Sequence, residues 1–251
     1  MARALEGKVA IVTGASRGIG AGIAKEFAAQ GAAVVVDYGS DKNGADTVVT
    51  SITAQGGRAI AVHADVSSEE DVERLFATAA AEYGTIDVLV NNAAVFTFEP
   101  VEQVTAEQFL RHFKVNVLGD LLTIQQAMRH FGDEGGSIIN LTSQGATNPP
   151  LYSSAYSTTK GAINSLTLEL ARELGPRGIR VNALSSGATI TEGAASLGVY
   201  EGSEYADEFK ALTPLGRLGT PEDLAKAAVF LASDESRWIT GDIVKASGGM
   251  I

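Results

Sequence analysis

Cysteine is absent from the 251 residues of this chain, and with it any disulfide framework, thiolate nucleophile or thiolate metal site. Histidine is nearly absent: His63, His112 and His130 are scattered without metal-ligand spacing, so no metal site is expected. Positive charge is also scarce. With 19 Lys and Arg against 30 Asp and Glu, the formal net charge is −11, which argues against nucleic acid or an anionic membrane surface as a partner, since clustered basic side chains drive binding to either. No apolar run is long enough to span a bilayer, and Met1 to Lys8 carry no apolar signal segment. A soluble protein of a reducing cytoplasm is the expectation. No proline-rich linker, low-complexity tract or fixed-period repeat divides the chain. Its 45% hydrophobic content is ample for one core, so a single domain over residues 1–251 is expected.

Short runs rich in β-branched residues recur: Val9 to Thr13, Ala33 to Asp37, Ala59 to His63, Ile86 to Val90, Ser137 to Leu141, Ile179 to Ala183 and Ile243 to Lys245. They alternate with segments of helical period, such as Ile23 with Phe27, or Val72 with Leu75, Phe76 and Ala79. Gly31, Gly56-Gly57, Gly84 and Gly178 stand where helices hand over to strands, as C-cap glycines do. Strands alternating with helices predict an α/β fold: a single-domain doubly wound, Rossmann-type parallel sheet of about seven strands with helices on both faces. Ligands of such sheets bind at the carboxyl ends of the strands.

The first strand runs directly into Gly14, after which Gly18 and Gly20 open a helix. Glycines so placed allow a tight turn and close approach of a pyrophosphate to free N–H groups at the positive end of the helix. Later in the chain, Tyr156 and Lys160 stand four apart, on one face of a helix. An ammonium beside a phenol favours its ionised form, which tunes a proton donor for carbonyl chemistry.

The spacing Gly-x-x-x-Gly-x-Gly, taken with motifs further along, resembles the short-chain dehydrogenase/reductase family, and the 3-oxoacyl and polyhydroxynaphthalene reductase branches in particular. Thr13 to Gly20 matches the cofactor turn, Asp65-Val66 the adenine-holding pair, and Asn91-Asn92-Ala93 the end of the fourth strand; Asn116, Ser143, Tyr156 and Lys160 match the catalytic positions. The resemblance implies hydride transfer between a nicotinamide cofactor and a ketone or secondary alcohol. Tyr156 would be the general acid and base, Lys160 would also hold the nicotinamide ribose, Ser143 would bond the substrate oxygen, and Asn116 would hold a water linking Lys160 to solvent. Lys160 and the oxidised nicotinamide are expected to lower the pKa of Tyr156. Cofactor contacts are implied for Gly14, Ser16, Arg17, Gly18, Ile19, Gly20, Tyr38, Ser40, Asp65, Val66, Asn92, Ala93, Tyr156, Lys160, Gly187, Thr189 and Thr191. A glycine-punctuated segment over 189–218, with Tyr200, Tyr205 and Phe209, corresponds to the family's substrate lid. Two departures stand out. Ser185-Ser186-Gly187 replaces the usual Pro-Gly at the nicotinamide pocket, and Ser247-Gly248-Gly249 replaces Asp-Gly-Gly, where a turn or subunit contact is expected to be affected rather than chemistry.

The cofactor expected is NADP(H), with NAD less favoured. Arg17 resembles the basic residue that meets a 2′-phosphate in NADP-dependent members, and a guanidinium suits phosphate geometry. The acidic ribose-binding residue of NAD-dependent relatives falls where this chain has Tyr38. By strand alternation Asp37 should then point away, while Tyr38 flanks the adenosine and Ser40 serves the phosphate. A catalytically silent dinucleotide sensor is the alternative reading, although such proteins typically lose the tyrosine or lysine. A sugar-nucleotide epimerase is a third, disfavoured by the short segment after Arg180. Helices expected at Thr105 to His130 and after Ser154 carry apolar residues beyond one core stripe: Leu118, Leu122 and Met128 on the first, Leu168 and Ala171 on the second. Family members pair through these helices, so a homo-tetramer is expected.

Overall fold

The apolar runs form one seven-stranded sheet in the computed structural model, which describes residues 3–250. The strands are β1 (Val9–Val12), β2 (Ala33–Tyr38), β3 (Arg58–His63), β4 (Val88–Asn91), β5 (Gly136–Ser143), β6 (Ile179–Ser186) and β7 (Ile243–Ala246). Neighbouring strands are parallel throughout, in the order β3-β2-β1-β4-β5-β6-β7. The order reverses between β1 and β4, and it is there that a doubly wound sheet opens its ligand crevice.

The helices are α1 (Gly18–Ala29), α2 (Lys42–Ala54), α3 (Glu69–Tyr83), α4 (Ala106–Phe113), α5 (Gly119–His130), α6 (Ser154–Leu174), α7 (Glu192–Ser196), α8 (Glu204–Ala211) and α9 (Pro221–Ala232). Helices α1, α2 and α9 cover one face through Ile23, Phe27, Ile52 and Leu224. The other face is covered by α3, α5 and α6 through Leu75, Phe76, Ile124 and Leu170. Phe27 and Phe76 are fully buried, one on each side, and each contributes roughly 2–3 kcal/mol by removing apolar surface from water. Local chemistry starts the helices. In α3 the Ser68 hydroxyl accepts the Asp71 N–H, and Glu69, Glu70 and Asp71 meet the positive end of the helix dipole. In α9, Thr220 and Asp223 form a capping box, with Pro221 in the first turn. Gly31, Gly56, Gly84 and Gly178 have positive φ at the helix ends where they were expected.

Beyond shifts of a residue or two at the ends of β2 and β4, the structure departs from the sequence reading as follows. Strands β5 and β6 continue beyond Leu141 and Ala183 and stay in register to the pair Ser143 and Ser186, because backbone pairing does not require the apolar side chains by which the strands were recognised. The helix expected over Thr105 to His130 is interrupted by a π-helical turn, Lys114–Leu118, that carries Asn116. Leu122, Met128 and Ala171, expected off the core stripe, pack into the core beside the sheet. Leu118 and Leu168 do remain exposed, at 40% and 44%. Among the described residues no helix is long and apolar enough to cross a membrane.

Candidate active site

A cavity of about 650 Å³ opens at the carboxyl ends of the strands, within the usual size range of small-molecule sites. One wall is the turn after β1. The Thr13 hydroxyl accepts the N–H groups of Asn92 and Ala93 at 2.9 and 3.0 Å, and Asn92 Nδ2 donates to the carbonyls of Thr13 and Gly14 at 2.8 and 3.0 Å. The Asn-Asn-Ala motif is thereby clamped to the glycine turn. Gly14 has φ of 59°, and a Cβ there would stand 2.8 Å from the Ala93 Cα, so a side chain would both strain the backbone and strike its neighbour. Gly14, Ser16, Arg17, Gly18 and Ile19 line the cavity on this side, with Ser40, Asp65, Val66, Asn92 and Ala93 continuing the wall and Tyr156, Lys160, Ser186 and Thr191 at the far end. The Gly18 N–H donates to Glu192 Oε2 at 3.1 Å, joining the start of α7 to the turn. Among the described residues no group of three or more His, Asp or Glu is placed to hold a metal ion.

Several expected cofactor contacts lie elsewhere. Gly20 is behind the turn, against Asn92 Nδ2. Gly187 faces Ser247, and the buried Thr189 hydroxyl donates to the Gly187 carbonyl at 3.1 Å. Tyr38 and Asp37 lie on the faces opposite to those expected. Tyr38 belongs to the core beneath α1 and α2 and meets His63 edge-on, with ring centroids 5.5 Å apart. Asp37 lines the cavity instead, its Oδ2 accepting the Gly14 N–H at 3.1 Å. Alternation along β2 does send the two side chains to opposite faces, but the face that reaches the glycine turn is that of Asp37. The Asp37 carboxyl is 1% exposed and its Oδ1 has no hydrogen-bond partner. Burial pushes its pKa up to about 7, against the pull of the Gly14, Ala64 and Tyr38 amides and with a further push from the Asp65 charge.

At the other end of the cavity, Tyr156 and Lys160 are both on α6 and both line the space. A hydrogen bond joins the hydroxyls of Tyr156 and Ser143, and Ser143 also accepts the Gly145 N–H at 3.1 Å. Lys160 is 5% exposed; its Nζ donates to the Leu141 carbonyl at 2.6 Å and lies 5.8 Å from the Tyr156 ring centroid. The expected lowering of the tyrosine pKa does not hold in the protein alone. Burial raises it, and only the Ser143 hydrogen bond works in the other direction. Asn116 is buried, and its amide holds the Val95 backbone in both directions, at 2.8 and 2.9 Å, while Nδ2 also donates to the Thr159 hydroxyl at 3.1 Å. A π turn of this kind commonly marks a functional position, and here it aims Asn116 at α6 next to Lys160.

The two departures from the family pattern both have structural counterparts. Ser186 remains in the ladder opposite Ser143, where proline would lack the N–H of a strand residue. Ser247 accepts from Gln144 Nε2 at 3.0 Å, so this turn is tied to the residue that follows Ser143. Other features escaped the sequence reading. Phe96 and Phe98 set their edges against the Tyr156 ring at centroid distances of 6.1 and 6.0 Å. Their position just after the Asn-Asn-Ala motif was the available signal. Asp120, buried on α5 and acting electrostatically on Lys160, stands one helical turn after Asn116.

Comparison with known proteins matches residues 14–251 to a family described as enoyl-(acyl carrier protein) reductase. An uncharacterized oxidoreductase of Methylorubrum extorquens is 54% identical, over 98% of each chain. A 3beta-hydroxysteroid dehydrogenase of Eggerthella lenta is 40% identical, over 98% of this chain and 94% of its own. Among solved structures, a short chain dehydrogenase from Burkholderia cenocepacia in complex with NADP is 37% identical and superimposes with a TM-score of 0.91, over 98% of this chain and 99% of its own.

Proposed function

The chain belongs to the short-chain dehydrogenase/reductase family of oxidoreductases, and from that premise we propose that it is an NADP(H)-dependent reductase of ketones, able to run in reverse as a secondary-alcohol dehydrogenase. The observation that carries the reading is that Tyr156 and Lys160 open on the same cavity as the glycine turn, with Ser143 bonded to the phenol. The cradle fits a dinucleotide: Gly14 and Gly18 leave room where a Cβ would intrude or strain, and the turn ends at the N-terminus of α1, where amides favour an anion. Ser16, Gly18 and Ile19 would hold the pyrophosphate, Asp65 and Val66 the adenine, and Lys160 the ribose. A bound nicotinamide supplies the hydride that reduces the carbonyl carbon. Tyr156 gives its proton to the carbonyl oxygen, Ser143 orients that oxygen, and Lys160 supplies positive charge beside the phenol. Phe96 lines this end of the cavity beside Tyr156, an aromatic wall that suits a bulky ring ketone, and the similarity to a hydroxysteroid dehydrogenase supports the same class. The segment over 189–218, with α7 tied to the turn through Glu192 and Gly18, would be the lid that excludes water.

The deciding experiment is an NADPH-depletion screen over cyclic ketones, quinones, acetoacetyl thioesters and sugars. Ring ketones are expected to turn over fastest. Tight NADPH binding without turnover of any carbonyl would favour the silent sensor instead.

For the cofactor, the exposed Arg17 lines the cavity with Ser16 and Ser40, whereas the Asp37 carboxyl is sealed against Gly14 and is not free to bind ribose hydroxyls. The preference in kcat/KM for NADPH over NADH should fall by roughly ten-fold or more in Arg17→Ala, the worth of a hydrogen bond to a charged group. A wild type that prefers NADH would remove the basis for this. The assembly proposed is a homo-tetramer. Leu110, Leu118 and Leu168 are exposed at 65%, 40% and 44% along α4, the π turn and α6, an apolar surface that pairing would cover. Light scattering at micromolar concentration should give four times the chain mass, and a monomeric mass would refute it.

A further inference from the structure

The reaction outlined above gives Asp120 no part, yet its placement is hard to explain otherwise. It lies in the first turn of α5 and is 4% exposed. It follows Asn116 by four positions, so the two share a face of the helical segment. The bond from Asn116 Nδ2 to the Thr159 hydroxyl, 3.1 Å, sets that face against α6 beside Lys160. Lys160 is the charge that acts on Asp120 from α6, and the two bias each other: the carboxylate raises the lysine pKa and the ammonium lowers that of the acid, while burial drives each the opposite way.

The other surroundings of Asp120 are neutral or turned aside. Beneath it, the Thr123 hydroxyl donates to the Asn91 side chain at 2.7 Å, and Asn91 Nδ2 donates to Asn140 at 3.0 Å. From the loop after β3, Val66 packs toward Gly119, and Asp65 turns its carboxylate to the Ser67 amide and hydroxyl. From α3, Phe76 meets His130 at the far end of α5. A buried pair of opposite charges seldom stabilises a fold more than apolar residues of the same size would, so stability alone is a poor reason for an acid here.

We propose that Asp120 is a positioning residue: its carboxylate is the counter-charge that keeps Lys160 an ammonium inside the buried site. The proposal rests on the reading of Tyr156 and Lys160 as the proton-handling pair. The Leu141 carbonyl engages one of the three hydrogens of Nζ, and a dipole alone offsets the loss of water poorly. With the carboxylate present, the ammonium persists to higher pH.

The test is an NMR titration of the Lys160 side-chain ¹⁵N signal, assigned by its loss in Lys160→Arg. In Asp120→Asn, which preserves shape and removes charge, the Lys160 midpoint should fall by about one pH unit or more. The alkaline limb of kcat/KM for ketone reduction should move down with it, and Asp120→Glu should recover part of the shift. An unmoved midpoint in a folded variant overturns the proposal. Should the amide variant fail to fold, the wild-type signal decides: Lys160 must show a second inflection where Asp120 ionises, and a single-step curve overturns the idea. The titration needs no substrate, so failure to reduce any ketone would count against the proposed reaction while the lysine midpoint still judged Asp120.

Discussion

Tyr156→Phe should lower ketone turnover by about 10²–10⁴-fold, the usual contribution of a general acid, and leave NADPH binding nearly unchanged. The ring has its own support. Phe96 and Phe98 meet it at interplanar angles of 72° and 69°, and neither contact uses the hydroxyl. What disappears is the proton and the bond to Ser143. Because burial holds the phenol above its ordinary pKa, wild-type Tyr156 is protonated throughout the neutral range. As far as this group governs the rate, reduction should be flat through neutral pH and fall only as the phenol ionises in alkaline solution. Alcohol oxidation needs the ionised phenol and should rise over that same interval. Steady-state kcat and an independent NADPH titration separate the two effects. A variant keeping more than a tenth of wild-type kcat would show that another group supplies the proton.

How much of this site could be read from the sequence depended on whether a residue announces itself by type and spacing. The glycine turn and the Tyr156–Lys160 pair did, because each is recognised by residue type and spacing together. The ends of β5 and β6 did not: Thr142, Ser143, Ser185 and Ser186 look like loop residues, and only the ladder with the neighbouring strand extends the structure through them. Strand alternation put Asp37 and Tyr38 on opposite faces of β2 but could not say which face reaches the turn. That is a tertiary property, set by where Gly14 lies relative to the sheet, and it placed Asp37 rather than Tyr38 at the cavity. Asp120 was hidden for a similar reason. One acid in a helix ordinarily faces solvent, and only the packing of α5 near Lys160 reveals it as buried.

Asp37→Asn should stabilise the protein, increasingly so as the pH rises. In the folded chain the Asp37 pKa is raised from 3.8 to about 7, so the native state holds this proton more tightly than the unfolded chain does. Below the unfolded value both states are protonated and the acid costs nothing. As pH rises from about 4 to about 7 the unfolded chain releases the proton while the native state retains it, so native stability declines across that window and the full penalty is present above it. A shift of this size corresponds to an upper bound on the order of 4 kcal/mol, at about 1.36 kcal/mol per pKa unit, before relaxation and water entry reduce it. Asparagine keeps the shape and an oxygen for the Gly14 N–H, yet cannot ionise. Urea unfolding should therefore show a gain over wild type that is larger at pH 8 than at pH 5 by roughly 2–3 kcal/mol. The same charge bears on the cofactor, since an ionised Asp37 at the cavity wall, with Asp65 nearby, opposes the phosphates of NADPH. The amide variant should bind NADPH more tightly than wild type at pH 8 and about equally at pH 5. If the gain in stability were the same at both pH values, the advantage of asparagine would lie in packing or hydrogen bonding, and Asp37 would not be the buried titrating acid that its position beside Gly14 implies.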